Sequence, residues 1–246
     1  MRFKNYIYNF LTAFLILSQR TEIQKSNSGI LNKFNRVTKN KFVIINILFQ
    51  SHWYNKIFYA YEIATANESD LLCKLILEEF PQQNIIILDI GVGIGGYHKK
   101  WIREHGRDTS LYLMDNSEFN IRAFSYGHGR SDRYYNSLFL TKKFLNNVNN
   151  PQVKVHSLEI KKEYPEKIPD HLDLIISFIS WGFHYSLEDY WITLSQKMSL
   201  FSSIILIDVR KNSQSSNFLK EQANFSSEVI SSTSKSDRVL VRKTGV

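Results

Sequence analysis

The chain of 246 residues has one cysteine, Cys73, and four prolines. A single cysteine excludes a disulfide within the chain and any zinc cluster built on several thiolates. Cys73 follows Leu71 and Leu72 and precedes Leu75 and Ile76 in a helical pattern of apolar residues. We therefore expect a buried structural thiol at this position and not a nucleophile.

Excess positive charge is almost absent outside the first 41 residues. The net charge is +8, but residues 1–41 hold eight basic side chains against one acidic, whereas the other 205 residues hold 23 basic and 22 acidic side chains. A surface that follows nucleic acid phosphates needs a continuous basic patch. The near neutrality of residues 42–246 therefore argues against nucleic acid as a partner.

The first 50 residues are predicted to form a basic, partly apolar arm before a domain over residues 51–246. The apolar run from Tyr6 to Leu17 is shorter than the about 20 residues of a membrane-spanning helix. No small-x-small cleavage site follows it, and no targeting signal is convincing, so we expect a cytoplasmic protein. Two hypotheses remain for the arm: peripheral membrane contact through residues 1–41, or an arm that is either a helix packed on the domain or poorly ordered.

The segment 85–97, IIILDIGVGIGGY, is an apolar run that opens into a glycine-rich turn. Such a turn lets a ligand approach the backbone closely, and the helix predicted from Tyr97 to Glu104 would present free N–H groups there. This arrangement is typical of nucleotide-like cofactor sites. The candidate cofactor residues of the segment are Asp89, Gly91, Gly93, Gly95 and Gly96.

Two cofactor motifs overlap in this segment. Gly91, Gly93 and Gly96 fit the dinucleotide fingerprint GxGxxG, whereas Asp89 begins a DxGxGxG pattern that resembles the first motif of class I S-adenosylmethionine (SAM) methyltransferases. A carboxylate at Asp89 would repel a pyrophosphate but suits the cationic methionine end of SAM. Asp115 ends the next predicted strand and can accept hydrogen bonds from the ribose hydroxyls of either cofactor. We favour SAM and keep NAD as the alternative.

Five predicted strands alternate with helices, and two more follow at the end. The final pair reads as an antiparallel hairpin, an addition to five parallel strands that the class I methyltransferase fold has. We therefore predict an α/β, Rossmann-like fold with a seven-stranded, mostly parallel sheet in the order 3-2-1-4-5-7-6, helices on both faces and a C-terminal antiparallel hairpin. Residues 51–80 are predicted to be helical with Ser69 as an N-cap, and residues 116–151 form a substrate-side insertion. The predicted strands are 85–90, 110–114, 153–156, 173–178, 203–208, 228–232 and 238–242.

The methyl acceptor is expected beyond the fourth strand, where the chain reads SFISWGFHYSLEDY over residues 177–190. No Asn/Asp-Pro-Pro-aromatic turn of nucleobase amino methyltransferases is present, and no Cys follows a Pro there, as cytosine-carbon methylation requires. His184 is the candidate general base because neutral imidazole is available near pH 7. Trp181 and Tyr185 are predicted to line an aromatic acceptor pocket, and His98 is expected on the cofactor side of its helix or exposed.

The segments FISWGFHY and RYYNSLFLTKKFL (133–145) resemble the bacterial sugar O-methyltransferase group of the class I superfamily, over roughly residues 80–210. The chain has Ser186 where that group usually has a proline. The resemblance implies a SAM-dependent hydroxyl methyltransferase that acts on a glycan or a nucleotide-sugar-derived acceptor. By position, Glu159 is predicted to reach the adenine amino group. The candidate substrate residues in the insertion are His128, Arg130, Arg133 and Tyr134, and no metal site is predicted at Asp208 or elsewhere.

Four functions remain open at this point, the last and least favoured of which is an oxidoreductase that uses NAD. The first is O-methylation of a sugar or another small hydroxyl acceptor. The second is RNA methylation, with the basic arm as the tether. The third is a non-catalytic scaffold protein that keeps the SAM fold without its activity.

Overall fold

The computed structural model describes residues 7–9, 11–13, 15–16, 53–81, 84–104, 107–117, 137–199 and 202–244. The chain divides into two units that interleave along the sequence. The helical unit consists of Met1–Glu79, Gly93–Glu104 and Ser117–Asn149, and the sheet unit consists of Phe80–Val92, His105–Asn116 and Asn150–Val246. The predicted division into an arm and a domain at residue 50 stays a prediction.

The sheet unit contains seven strands in the order β3-β2-β1-β4-β5-β7-β6. Strands β1 to β5 are parallel, and β7 pairs antiparallel with both β5 and β6. The predicted sheet order and terminal hairpin are confirmed. The strands are β1 (Ile85–Ile90), β2 (Thr109–Asp115), β3 (Val153–Glu159), β4 (Leu174–Ser177), β5 (Ile204–Arg210), β6 (Phe225–Ser232) and β7 (Ser236–Lys243).

The central strands are apolar because both of their faces are buried. All four residues of β4 are buried, as are the first six of β5. Parallel strands that are covered on both sides read as continuous apolar runs, which is the pattern that made these strands recognisable. One face packs with three short helices, α5 (Ile160–Glu163), α6 (Glu188–Gln196) and α7 (Gln214–Lys220). Helices α6 and α7 end at Gln196 and Lys220.

The amino edge of the sheet is closed by a cluster of three polar residues, which we call the amino-edge cluster: His171, Asp173 and Ser199. Asp173 is 5% exposed, and its Oδ2 accepts a hydrogen bond from the Ile86 N–H at 2.7 Å. Its Oδ1 lies 2.7 Å from His171 Nε2, and His171 Nδ1 lies 2.8 Å from Ser199 Oγ. These contacts join the start of β4 to β1 and to the loop before β5.

An ion pair fastens the hairpin to β5. Asp208 and Arg238 face each other in the β5–β7 register. Arg238 donates from Nε to Asp208 Oδ1 at 2.7 Å and from Nη2 to Oδ2 at 2.9 Å, and its guanidinium lies 4.3 Å from the centre of the Phe178 ring. This bidentate pair gives both oxygens of the buried Asp208 carboxylate a charged hydrogen-bond donor.

The helical unit contains α1 (Trp53–Ala64), α2 (Ala66–Glu79), α3 (His98–Glu104) and α4 (Leu138–Asn146). The predicted N-cap at Ser69 is wrong, because α2 begins three residues earlier. Ser69 Oγ instead donates to the Tyr97 carbonyl oxygen at 2.9 Å. Cys73 is buried, as expected, and burial raises the pKa of its thiol to about 11, which makes it a poor nucleophile.

The described part of the N-terminal arm is helical and largely buried. Residues 7–9, 11–13 and 15–16 are helical, and Ala13, Leu15 and Ile16 are at most 1% exposed. The rings of Tyr8 and Phe139 lie 5.5 Å apart. Of the two hypotheses for the arm, these contacts favour a helix packed on the rest of the chain. Among the described residues, no helix is long and apolar enough to cross a membrane.

Candidate functional site

The first half of the glycine-rich turn belongs to the sheet unit. Strand β1 ends at Ile90, and the Gly91 N–H donates to the Met114 carbonyl oxygen at 2.7 Å. Gly91 has φ +71°, and a Cβ added there would lie 2.0 Å from Ser180 Oγ. Position 91 therefore requires glycine for two reasons: the left-handed backbone conformation and the close approach of the loop after β4. Asp89, one residue before the end of β1, is fully buried.

The second half of the turn belongs to the helical unit. Gly93 and Gly95 have φ of +57° and +64°, and the Gly95 carbonyl oxygen accepts from the His98 N–H at the start of α3. The Gly96 N–H donates to Tyr61 Oη at 3.1 Å, and a Cβ on Gly96 would lie 2.2 Å from the Tyr61 ring. The lack of a side chain at Gly96, the fourth glycine of the turn, therefore makes room for the Tyr61 ring.

His98 lies elsewhere than expected. It is fully buried, and its Nδ1 accepts a hydrogen bond from Trp101 Nε1 at 2.8 Å. Its ring also lies 4.6 Å from that of Tyr97. The prediction of an exposed or cofactor-side histidine is wrong, because the apolar face of α3 turns this residue into the interior.

Two carboxylates lie side by side at the carboxyl edge of the sheet. Asp115 ends β2, Glu159 ends β3, and the two residues are partners in the parallel register. Both side chains are half-buried, and Asp115 Oδ1 accepts from the Asn116 N–H at 2.7 Å. Adjacent carboxylates at this edge are suited to accept hydrogen bonds from several hydroxyl or amino donors of one ligand.

The loop after β4, residues 178–187, is held in place by the side chain of Ser177. Ser177 Oγ donates to the Ile90 carbonyl oxygen and accepts from the Trp181 N–H, both at 2.9 Å. The Ser180 carbonyl oxygen then accepts from the N–H groups of residues 183, 184 and 185, at 3.1, 2.7 and 3.2 Å. We call this segment the β4 loop. Its backbone conformation is fixed by hydrogen bonds at both ends.

One residue of the β4 loop adopts an unfavourable backbone conformation. Ile179 has φ +58°, which is rare for a β-branched residue and costs about 1–3 kcal/mol. Its apolar side chain is also 45% exposed. Strain of this kind persists where the surrounding structure imposes it, and it is concentrated at functional sites.

Trp181 and Tyr185 have opposite environments. Trp181 is fully buried in the core of the sheet unit, and its Nε1 donates to the Leu187 carbonyl oxygen at 3.1 Å. The buried indole anchors the β4 loop. The prediction that Trp181 lines the acceptor pocket is therefore wrong, because its side chain has no exposed surface. Tyr185 is 53% exposed, and its role as a substrate contact stays a prediction.

His184 has an exposed side chain in the β4 loop, and its ring lies 4.9 Å from that of Phe183. Neither ring nitrogen has a hydrogen-bond partner among the residues that the structure describes. Partial burial of the ring and then the positive charge of Arg210 lower its pKa below the ordinary value of a histidine. The imidazole is therefore neutral at pH 7, as a general base must be.

Arg210, which ends β5, was not among the predicted site residues. Its N–H donates to the Gly182 carbonyl oxygen at 3.2 Å, and its guanidinium lies 4.8 Å from the centre of the Phe183 ring. The sequence gives no sign of this, because only the packing of β5 against the β4 loop brings the residue to His184.

The predicted substrate residues of the insertion, His128, Arg130, Arg133 and Tyr134, lie outside the described residues. Within the described ranges, no group of three or more His, Cys, Asp or Glu side chains could hold a metal ion.

No protein-family model matches the chain, and no curated protein matches it significantly in sequence. Solved structures do match. The O-methyltransferase TomG from Streptomyces achromogenes, in complex with SAM, has a TM-score of 0.50 at 13% identity, over 73% of this chain and 81% of TomG. The carbon methyltransferase CurJ has a TM-score of 0.50 at 11% identity, over 74% of this chain and 54% of CurJ.

A ribosomal protein L11 methylase from Lactobacillus delbrueckii subsp. bulgaricus has a TM-score of 0.49 at 12% identity, over 72% of this chain and 79% of the methylase. At such identities a structural likeness shows the fold alone. Together with the sheet order and the terminal hairpin, the likeness to TomG and CurJ shows that the chain has the Rossmann-like fold of SAM-dependent methyltransferases.

Proposed function

We propose that this chain is a SAM-dependent methyltransferase that transfers a methyl group to a hydroxyl of a sugar, a glycan or a similar small acceptor. The observation that carries the proposal is the exposed, neutral imidazole of His184 in the loop that follows the central strand β4. In open α/β sheets, ligands bind beyond the carboxyl ends of the strands.

The residues at the carboxyl edge fit SAM in their chemistry. Asp115 and Glu159 offer carboxylate oxygens to the ribose hydroxyls and the adenine amino group. The buried Asp89 adds negative charge near the turn, which favours a cationic ligand over a pyrophosphate. Gly91, Gly93 and Gly95 each adopt the left-handed conformation without the steric cost that a side chain would add.

The choice of a hydroxyl acceptor rests on His184 and not on the fold. TomG is an O-methyltransferase and CurJ a carbon methyltransferase, so the shared fold does not set the acceptor atom. An alcohol is weakly acidic, and its oxygen attacks more readily when a base removes the proton. His184 can accept that proton because its ring nitrogens have no other partner among the described residues.

Bound SAM would supply an electrophilic methyl group on a sulfonium. Asp115 and Glu159 would hold SAM by its ribose and adenine, and the acceptor hydroxyl would lie at His184. The hydroxyl proton passes to His184, which then carries the positive charge. The rest of the catalysis is positioning, for which the hydrogen bonds of the β4 loop provide a rigid support.

Calorimetric titration of the full chain with S-adenosylhomocysteine (SAH) and with NAD tests the cofactor. We expect micromolar binding of SAH, weakened at least tenfold in Asp115→Ala because charge-assisted hydrogen bonds to the ligand are lost. Glu166→Ala, which removes an exposed carboxylate of the same unit, is the matched control and should bind SAH normally. Binding of NAD instead of SAH, or of neither, would overturn the proposal.

A further inference from the structure

Arg210 occupies a fixed position at the carboxyl edge of the sheet. Strand β5 determines its backbone, and the hydrogen bond to Gly182 ties that backbone to the β4 loop. The guanidinium lies over Phe183, which limits its freedom, while the side chain stays exposed. An arginine that is held in this way loses less conformational entropy when it binds a ligand.

Three acidic residues of β5, β7 and α6 are engaged by other groups. Asp208 is paired with Arg238, and Asp237 with Lys211. Glu188 accepts hydrogen bonds from the side-chain amide of Gln214 at 3.0 and 3.1 Å. Among the residues that the structure describes, Arg210 therefore has no acidic partner, and its positive charge is uncompensated.

Arg210 and His184 are close enough to act on one small molecule. Both contact Phe183, the guanidinium at 4.8 Å from the ring centre and the imidazole ring at 4.9 Å. The exposed side chains of Ile179 and Tyr185 belong to the same loop and offer apolar surface. Beside the candidate base there is thus a planar cation, whose geometry matches a carboxylate or a phosphate.

From this arrangement we propose that the methyl acceptor is anionic: it bears a carboxylate or a phosphate that pairs with Arg210 while the hydroxyl to be methylated lies at His184. The inference rests on the proposed function, which it deepens by naming the class of acceptor. A neutral sugar would leave the Arg210 guanidinium without a counter-charge in the complex. Arg210 would then distinguish acidic acceptors from neutral ones.

The test is NMR spectroscopy of the full chain with SAH added, observing the His184 ring signals during titration with inorganic phosphate, acetate or sodium chloride at matched ionic strength. A signal from the site itself is needed because the eight basic side chains of residues 1–41 offer anions other places to bind. We expect saturable shifts in the millimolar range with phosphate or acetate and none with chloride. The anion that binds more tightly tells a phosphate-bearing acceptor from a carboxylate-bearing one.

Variants assign the shifts to Arg210. Arg210→Gln should weaken the anion's binding at least tenfold, whereas Lys235→Gln, which removes an exposed charge from the hairpin turn, should leave it unchanged. Thermal unfolding checks that both variants fold. No saturable shift, or the same shift in Arg210→Gln, would overturn the inference. If SAH still binds in that case, the inference fails and the proposed function stands; if SAH does not bind, the proposed function itself fails.

Discussion

Two histidines of the sheet unit lie beyond opposite ends of β4 and differ in their surroundings. His171, on the amino side, is held between Asp173 and Ser199, with both ring nitrogens in hydrogen bonds. His184, on the carboxyl side, has no hydrogen-bond partner among the described residues and lies beside a positive charge. The first arrangement stabilises the fold, and the second leaves a base available to a ligand. Hydrogen-bond partners, and not residue type, separate the two roles.

The largest expected difference between the two ends is in catalysis. His184→Gln should lower the rate of methyl transfer about 10²–10⁴-fold, since a general base contributes that much. The matched change His171→Gln should cost about 1 kcal/mol of stability and leave turnover intact. Release of SAH with the best acceptor from a sugar screen measures the first effect, and thermal unfolding the second. Equal turnover losses in both variants would erase the contrast.

A second, smaller effect concerns stability at the amino edge. Asp173→Ala should destabilise the fold by about 2–4 kcal/mol, because the Ile86 N–H and His171 both lose a charge-assisted hydrogen bond to this buried carboxylate. Asp170→Ala is the control: that carboxylate is exposed and pairs with Lys197, so its loss should cost under about 1 kcal/mol. Urea unfolding measures both values. Similar midpoints for the two variants would mean that the amino-edge cluster contributes little.

The smallest effect is a shift in pH dependence at the carboxyl end. The pKa of His184 is lowered, so the base stays neutral down to a pH below 6.5, and the rate should fall only when the pH drops through that lowered pKa. Arg210→Gln removes one of the two causes, so the pKa rises and the acid limb should move to higher pH. Profiles of kcat against pH measure the shift. An unchanged limb would show that Arg210 does not act on His184.

Much of the sheet could be predicted, because strands that are buried on both faces appear in the sequence as continuous apolar runs. The bounds of β1 were predicted residue for residue, whereas β3 runs on to Glu159, three residues beyond its predicted end at 156. Ser69 failed as an N-cap because a serine before an apolar run also suits a helix interior, where here its hydroxyl bonds to Tyr97.

The candidate site was harder to predict because its contacts join distant parts of the chain. Trp181 and Tyr185 look alike in the sequence, and only tertiary packing sends one ring into the core and the other to the surface. Arg210 belongs to the candidate site because of its hydrogen bond to Gly182 and its stacking contact with Phe183. No local sequence pattern indicates either contact. The strands could be predicted from the periodicity of apolar residues, whereas the tertiary contacts of each side chain could not.

The insertion of β7 between β5 and β6 has a consequence for how the chain is made. A ribosome produces β6 before β7. The outer edge of β5 and the carboxylate of Asp208 therefore stay unpaired until β7 is made, and β7 begins 26 positions after Arg210. At roughly 5–20 residues per second, that interval lasts about 1–5 s. During this time the nascent chain carries an unpaired strand edge beside the unpaired carboxylate of Asp208. The synthesis of β7 ends both states, because β7 pairs with β5 and Arg238 pairs with Asp208.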